Sequence, residues 1–212
     1  MINLDLYLVT DRPLCLKYDI EEVVLQAVKG GVTIVQLREK NCGTLEFIDL
    51  AKRLKKILTP FEVPLLINDR VDVALAADAD GVHLGQSDMS YFDARRILGK
   101  DKIIGLSAEN QDQVLQLNNI DVDYIAVSPI FSTATKTDTK QPFGYEGTEK
   151  AVRSTRHKIV AIGGINLSNI SGVIGTGLDG AAVVSAICSA DNPCKAAADL
   201  KREIINTKKN LK

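Results

Sequence analysis

The chain has 212 residues, 45% hydrophobic and 25% charged, with a formal net charge of −1. Those are ordinary globular values, long enough for one substantial core, and so balanced a charge offers no basic field for nucleic acid or an acidic membrane. No run approaches the ~20 apolar residues of a membrane span, and the start, "MINLDLYLVTDRP", lacks a basic segment followed by a long apolar stretch, so a cytoplasmic setting is expected.

The first leucine-rich run, "DLYLV" (5–9), leads into "TDRPLCLKYD", which has no glycine fingerprint for a dinucleotide. In "DIEEVVLQAVKGG" (19–31), Ile20, Val23, Val24 and Ala27 recur at helical spacing and Gly30-Gly31 supplies the stop. "TIVQL" (33–37) reads as a second strand, and "TLEFIDLAKRLKKIL" (44–58) as a second helix with Thr44 at its N-cap. Further runs at "PLLI" (64–67), "GVHL" (81–84), "KIIGL" (102–106), "DYIAV" (123–127), "KIVAI" (158–162) and "GAAVV" (180–184) bring the total to eight. Most gaps between them carry an amphipathic helical pattern. The tail "KREIINTKKNLK" ends a last helix, where cations complement the dipole.

Strand and helix alternating in this way imply parallel strands joined by right-handed crossovers, and such strands, covered on both faces, should be nearly all apolar. An open doubly wound sheet shares that alternation. Eight units in a chain near the ~200-residue minimum for a (β/α)8 barrel favour the barrel. No low-complexity linker interrupts the chain, so the expected fold is α/β, a single TIM-barrel domain over residues 1–212. Its site belongs at the carboxyl ends of the strands.

The residues just past the strands form a chemical set. "QLREK" supplies Gln36, Arg38 and Lys40; Asn68 and Asp69 follow strand three; Gln86 and Asp88 follow strand four; Ser107 follows strand five. Beyond strand six lies "SPIFSTATK" with Thr133, Thr135 and Lys136, then "GGIN" after strand seven and "SAI" from Ser185 after strand eight. Loops after strands seven and eight often bind phosphate in such barrels, and Gly163-Gly164 would let backbone approach it; a tight turn alone is the plainer alternative. Arg38, Lys40 and Lys136 would repel one another unless an anion holds them, although "REK" by itself also reads as a solvated charge run with Glu39 pairing a cation. Asp69 and Asp88, hard oxygen ligands without a nearby histidine, suit Mg²⁺, which takes one or two carboxylates with waters and substrate phosphates. Both also read as helix N-caps. Asp72 and Asp78 are expected at the surface, and His83, inside an apolar run, as a packed, hydrogen-bonded ring. Cys15, Cys42, Cys188 and Cys194 show no CxxC spacing and, with His83 and His157, make no zinc set; they read as structural thiols of a reducing compartment. No Ser-His-Asp set is present, so the pattern suits chemistry that needs alignment and leaving-group stabilisation.

At these residues the sequence resembles the thiamine-phosphate synthase family. "YLVTD", "VQLREK", "INDRVDVALAADADGVHLGQSD", "GLSA", "DYIAVSPIFSTATK", "AIGGIN" and "AAVVSAI" match its motifs in order, from about residue 6 to 200. The resemblance implies a transferase that joins 4-amino-2-methyl-5-pyrimidinylmethyl diphosphate to 4-methyl-5-(2-phosphoethyl)thiazole, releasing pyrophosphate. It implies that Gln36, Leu37, Arg38, Glu39, Lys40, Asn68, Ser107 and Lys136 hold the pyrimidine diphosphate, with Arg38, Lys40 and Lys136 catalytic. It further implies Mg²⁺ on Asp69 and Asp88, and the thiazole phosphate on Thr133, Ala134, Thr135, Gly164, Val184 and Ser185. Partners are then small-molecule substrates, without nucleic acid or membrane; the oligomeric state stays open, a homo-oligomer included. The chain departs from the family's usual "GPxFPTxTK" at Val127, Ser128 and Ser132, and Glu109 stands where a histidine is common. The polar segment from Phe131 to Tyr145 is expected to act as a lid. A thiazole tautomerase on the same scaffold would need no diphosphate site, a silent phosphate-ligand sensor would show no turnover, and a sugar-phosphate epimerase would want paired acids or metal-binding histidines.

Overall fold

Eight parallel strands pair in chain order and the eighth pairs back with the first, closing a barrel. The computed structural model describes residues 2–132 and 141–211. The strands are β1 (Leu6–Val9), β2 (Ile34–Leu37), β3 (Leu65–Asn68), β4 (Gly81–Leu84), β5 (Ile103–Ala108), β6 (Tyr124–Val127), β7 (Ile159–Ile162) and β8 (Gly180–Val183). Among the described residues the helices are α1 (Ile20–Lys29), α2 (Thr44–Leu58), α3 (Val71–Ala76), α4 (Tyr91–Leu98), α5 (Gln111–Leu117), α6 (Gly144–Ser154), α7 (Ile170–Gly175), α8 (Ser185–Cys188) and α9 (Pro193–Asn210). All eight apolar runs are strands, so the TIM-barrel expectation holds.

Alternation along each strand sorts side chains into two cores. Leu6 and Leu8 of β1 point out against the helices, together with Val35, Leu37, Leu65 and Ile67, where they meet Val23, Leu50 and Leu54. Tyr7 and Val9 point in, with Ile34, Leu66, Tyr124, Ala126, Val160 and Ala182. Each fully buried leucine or isoleucine in the outer layer contributes about 1.5–3 kcal/mol relative to exposure. The inner layer is narrower and carries polar atoms, and it forms the floor of the site.

Local signals mostly act as the sequence suggests. The Asp19 carboxylate accepts from the Glu22 N–H at the start of α1, and Gly30 ends it. The α2 cap differs: Gly43 occupies that position, and Thr44 is the first helical residue. Its hydroxyl instead accepts a 3.1 Å hydrogen bond from the Arg70 guanidinium. At the opposite end of the barrel, Lys201 and Lys208 of α9 both pair with Asp5, tying the last helix to the first strand.

Candidate active site

The carboxyl ends of the strands open onto one cavity of about 540 Å³. Gln36, Arg38, Lys40, Asn68, Asp69, Asp88, Ser107, Gly164, Val184 and Ser185 all line it. Leu37 and Glu39 do not, because period-two alternation turns them outward. Leu37 is fully buried against the helices, and Glu39, only 6% exposed, accepts a 3.1 Å hydrogen bond from the Arg12 guanidinium. The expected pairing of Glu39 with a cation is therefore met outside the cavity. Thr133, Ala134, Thr135 and Lys136 lie outside the described residues, as does the middle of the segment expected to act as a lid. Its two ends are fastened: the Phe131 N–H donates to the Gly163 carbonyl, the Gly144 N–H donates to the Ile130 carbonyl, and the Phe131 and Tyr145 rings meet edge to face.

Asp69 is held by an unusual backbone. Its φ of +62° lies in the left-handed region, and its N–H continues the β3–β4 ladder by donating to the His83 carbonyl at 2.9 Å. A non-glycine residue there costs of order 1–3 kcal/mol, which the closed ladder holds in place. The helix-cap alternative fails for both carboxylates. Arg70 precedes α3 with no side-chain cap, and the Ser90 hydroxyl caps α4 by accepting from the Asp93 N–H. Asp88 instead folds its own loop, accepting from the Gly85 N–H at 2.7 Å. Asp72 and Asp78 pair with Arg70 and Lys102 at the surface, as expected.

The two carboxyls line the same cavity, and their titrations separate. Burial, then the neighbouring Asp69, push the Asp88 carboxyl above its ordinary value. Burial also opposes ionisation of Asp69, but the Lys40 ammonium and the hydrogen bond to Asp88 outweigh it and hold Asp69 below its ordinary value. The Lys40 Nζ lies 2.5 Å from Asp69 Oδ2, and the Arg38 Nη1 lies 2.9 Å from Asp11 Oδ2. Asp11, two residues past the strand-one run, was not among the expected site residues. The cations of "REK" are thus paired with the protein's own carboxylates.

The β7–β8 side is built differently. Gly163 and Gly164 have φ of +114° and +68°, and a Cβ on either would come within 2.9 Å of Pro129 or Phe131 carbon atoms. Only glycine fits there, as the tight-turn reading requires. Val184 and Ser185 follow at the start of α8. Of the departures, Ser128 and Glu109 line the cavity, Val127 is buried in the outer core, and Ser132 is exposed.

A polar chain crosses the floor. The Gln36 Nε2–H donates to Tyr7 Oη at 2.6 Å; Tyr7 and Tyr124 hydroxyls meet at 2.8 Å; His83 Nδ1 meets Tyr124 Oη at 2.8 Å, and its Nε2 meets Ser107 Oγ at 2.9 Å. His83 is the packed, hydrogen-bonded ring the sequence suggests, and it also reaches the cavity. The tyrosines escaped notice because each sits in an apolar run. Gly105 is what admits Tyr124, since a Cβ there would lie 2.1 Å from its ring.

A family model described as thiamine monophosphate synthase matches residues 6–187. A thiamine-phosphate synthase of Leptospira biflexa is 56% identical over 201 residues, covering 93% of this chain and 96% of the relative. One of Vibrio parahaemolyticus is 54% identical, with 91% and 94% covered. The solved structure of the thiamine phosphate pyrophosphorylase from Pyrococcus furiosus superimposes with a TM-score of 0.89 at 37% identity, covering 97% of this chain and 98% of that one.

Proposed function

The chain belongs to the thiamine monophosphate synthase family, and we propose that the groups gathered at this rim carry out its condensation, with Mg²⁺ on Asp69 and Asp88. The activity is that of a thiamine-phosphate synthase, a transferase of thiamine biosynthesis. Among the described residues, no helix is long and apolar enough to cross a membrane, and we assign the enzyme to the cytoplasm. Its substrates are small molecules, the pyrimidine diphosphate and the thiazole phosphate.

One observation carries the site reading. Two carboxylates and two cations from β2–β4 face a glycine-built turn and residues Val184 and Ser185 from β7–β8 across a single cavity. The first patch suits a diphosphate and the second a monophosphate.

Mg²⁺ fits the first patch by its chemistry. The donors are two carboxylates lining one cavity, that of Asp88 pushed toward protonation by burial and then by Asp69, and the Lys40 ammonium already rests on Asp69. Two carboxylates are what this ion normally takes from a protein that also presents substrate phosphates. Bound there, it would supply positive charge for the departing pyrophosphate.

The remaining roles fall to the chain itself. Arg38 can exchange Asp11 for diphosphate oxygens with its planar fork, and Lys40 can swing from Asp69 as a flexible point charge. Together with Lys136 they stabilise charge that develops as the C–O bond to pyrophosphate breaks. Electron release from the ring's 4-amino group supports the resulting delocalised cation. Gln36, Asn68 and Ser107 orient the pyrimidine. Gly164, Val184 and Ser185, with Thr133, Ala134 and Thr135, hold the thiazole phosphate so that its ring nitrogen meets the cationic carbon. That nitrogen attacks through a lone pair and loses no proton, so no general base is needed. Placement of both rings supplies much of the acceleration.

The test follows pyrophosphate from purified protein with both substrates, with and without Mg²⁺. Metal-dependent release is expected, with severe loss for Asp69→Ala and Lys136→Ala. Full activity in both variants would end the site assignment.

A further inference from the structure

The polar chain under the cavity has a direction. An amide nitrogen can only donate, so Tyr7 Oη accepts from Gln36. The hydrogen of Tyr7 must then go to Tyr124 Oη, since leaving it without an acceptor in the barrel interior would forfeit a buried donor. Having accepted from Tyr7, Tyr124 turns its own hydrogen to His83 Nδ1. A neutral imidazole that accepts at Nδ1 carries its proton on Nε2, and that N–H donates to Ser107 Oγ. The Ser107 hydroxyl hydrogen is then left to point into the cavity it lines. Reversing the last links would make Ser107 donate its hydrogen to His83 Nε2, leaving none for the cavity, and would strand one tyrosine hydrogen.

We propose that Tyr7 and Tyr124 are positioning residues: with Gln36 they set a one-way hydrogen-bond chain that fixes His83 as the Nε2–H tautomer and makes Ser107 a donor toward the bound pyrimidine diphosphate. Both phenols are within 1% of complete burial, so solvent cannot compete for the links. Both ends of the chain, Gln36 and Ser107, reach the cavity, so one substrate can feel the polarity of the whole wire. The donor role of Ser107 rests on the substrate assignment made above; the tautomer does not.

The chain contains only two histidines, which makes nitrogen-15 NMR of the imidazoles a direct readout. His157 provides an internal standard, because its Nε2 lies 3.0 Å from the Leu117 carbonyl, which can only accept, so this ring also carries its proton on Nε2. In the ligand-free protein the His83 ring should give the same pattern as His157, and Tyr7→Phe should shift it toward a mixture of tautomers. In steady-state kinetics, Tyr7→Phe should raise KM for the pyrimidine diphosphate by roughly three- to tenfold, the worth of one hydrogen bond, and should do nothing further in a Ser107→Ala background. A His83 ring protonated on Nδ1 in the native protein overturns the proposal. So does a Tyr7→Phe penalty of equal size with and without Ser107, which would mark a packing role. Absence of pyrophosphate release from the native enzyme would remove the synthase assignment while leaving the tautomer result intact.

Discussion

The two sides of the cavity mouth proposed to bind the two anions are built in opposite ways. On the β2–β4 side the binding groups are long charged side chains already engaged with one another: Lys40 with Asp69, Arg38 with Asp11, and Asp88 with the Gly85 N–H. On the β7–β8 side the lining at Gly163, Gly164, Val184 and Ser185 carries no charged side chain, and its turn is shaped by positive-φ glycines packed on Pro129 and Phe131. The first side must exchange partners when a ligand arrives, so its electrostatics depend on pH and metal. The second is held by covalent geometry and packing. A leaving diphosphate needs charge that can follow it; a retained monophosphate needs only a fixed seat.

The sharpest way to break this comparison is Asp69→Ala. It removes one carboxylate of the metal pair and frees Lys40 together. The expected loss in kcat/KM is on the order of 10²–10³, comparable to deleting a preorganised transition-state contact. A variant that keeps wild-type turnover and wild-type Mg²⁺ dependence would show that the charged side is structural.

Gly164→Ala probes the opposite side by shape alone. A methyl at φ +68° would sit 2.9 Å from Phe131 Cβ, costing about 1–3 kcal/mol of strain or displacing the turn. KM for the thiazole phosphate should rise about tenfold or more, with the Mg²⁺ dependence unchanged. If KM for the pyrimidine diphosphate rose instead, the division of labour between the two sides would be wrong.

A third comparison uses pH. Metal ligands must be deprotonated, and Asp88 resists ionisation because of burial and its neighbour Asp69. Its charged fraction is therefore lost at a higher pH than for an ordinary carboxyl. The apparent Mg²⁺ requirement should climb on acidification toward the carboxylate range, starting at a higher pH than an ordinary carboxyl would dictate, and excess Mg²⁺ should restore rate. Thiazole-phosphate binding, seated on the side without charged side chains, should move less over the same range once the ionisation of the ligand itself is subtracted. Parallel loss on both sides would erase the contrast.

How much of this was readable in advance follows from the same physics. The barrel was legible because strands covered on both faces must be apolar, and "GVHL" matches β4 residue for residue. Asp69 and Asp88 were legible as acidic residues at strand ends, but spacing could not exclude helix caps; Arg70 and Ser90 at the N-cap positions do. Leu37 and Glu39 entered the expected site through a contiguous motif, whereas strand alternation sends them out of the cavity. Tyr7 and Tyr124 were hidden for the converse reason. An aromatic in an apolar run reads as packing, and only the barrel's closure brings β1, β4 and β6 hydroxyl and imidazole groups within hydrogen-bonding distance.

The smallest effect concerns stability and sharpens the comparison most finely. A carboxyl whose folded-state pKa is raised above its unfolded value stabilises the fold only while protonated; that contribution is complete below the unfolded pKa and is lost as pH rises through the folded one. Asp88 is such a group, so its ionised form weighs against folding at neutral pH in metal-free protein. Asp88→Asn removes the charge and keeps an oxygen for the Gly85 N–H. Because the site is open to solvent, the expected gain at pH 7 is a Tm rise of at most about 2 °C, and it should vanish in acid, where the native side chain is neutral as well. Added Mg²⁺ should raise the Tm of the native protein and leave the variant almost unmoved. Thermal melts at two pH values, with and without the ion, suffice to check both signs. A variant less stable than the native chain at neutral pH would mean that Asp88 serves the fold first, and that the charged side of the mouth is no more poised for exchange than the glycine-built side.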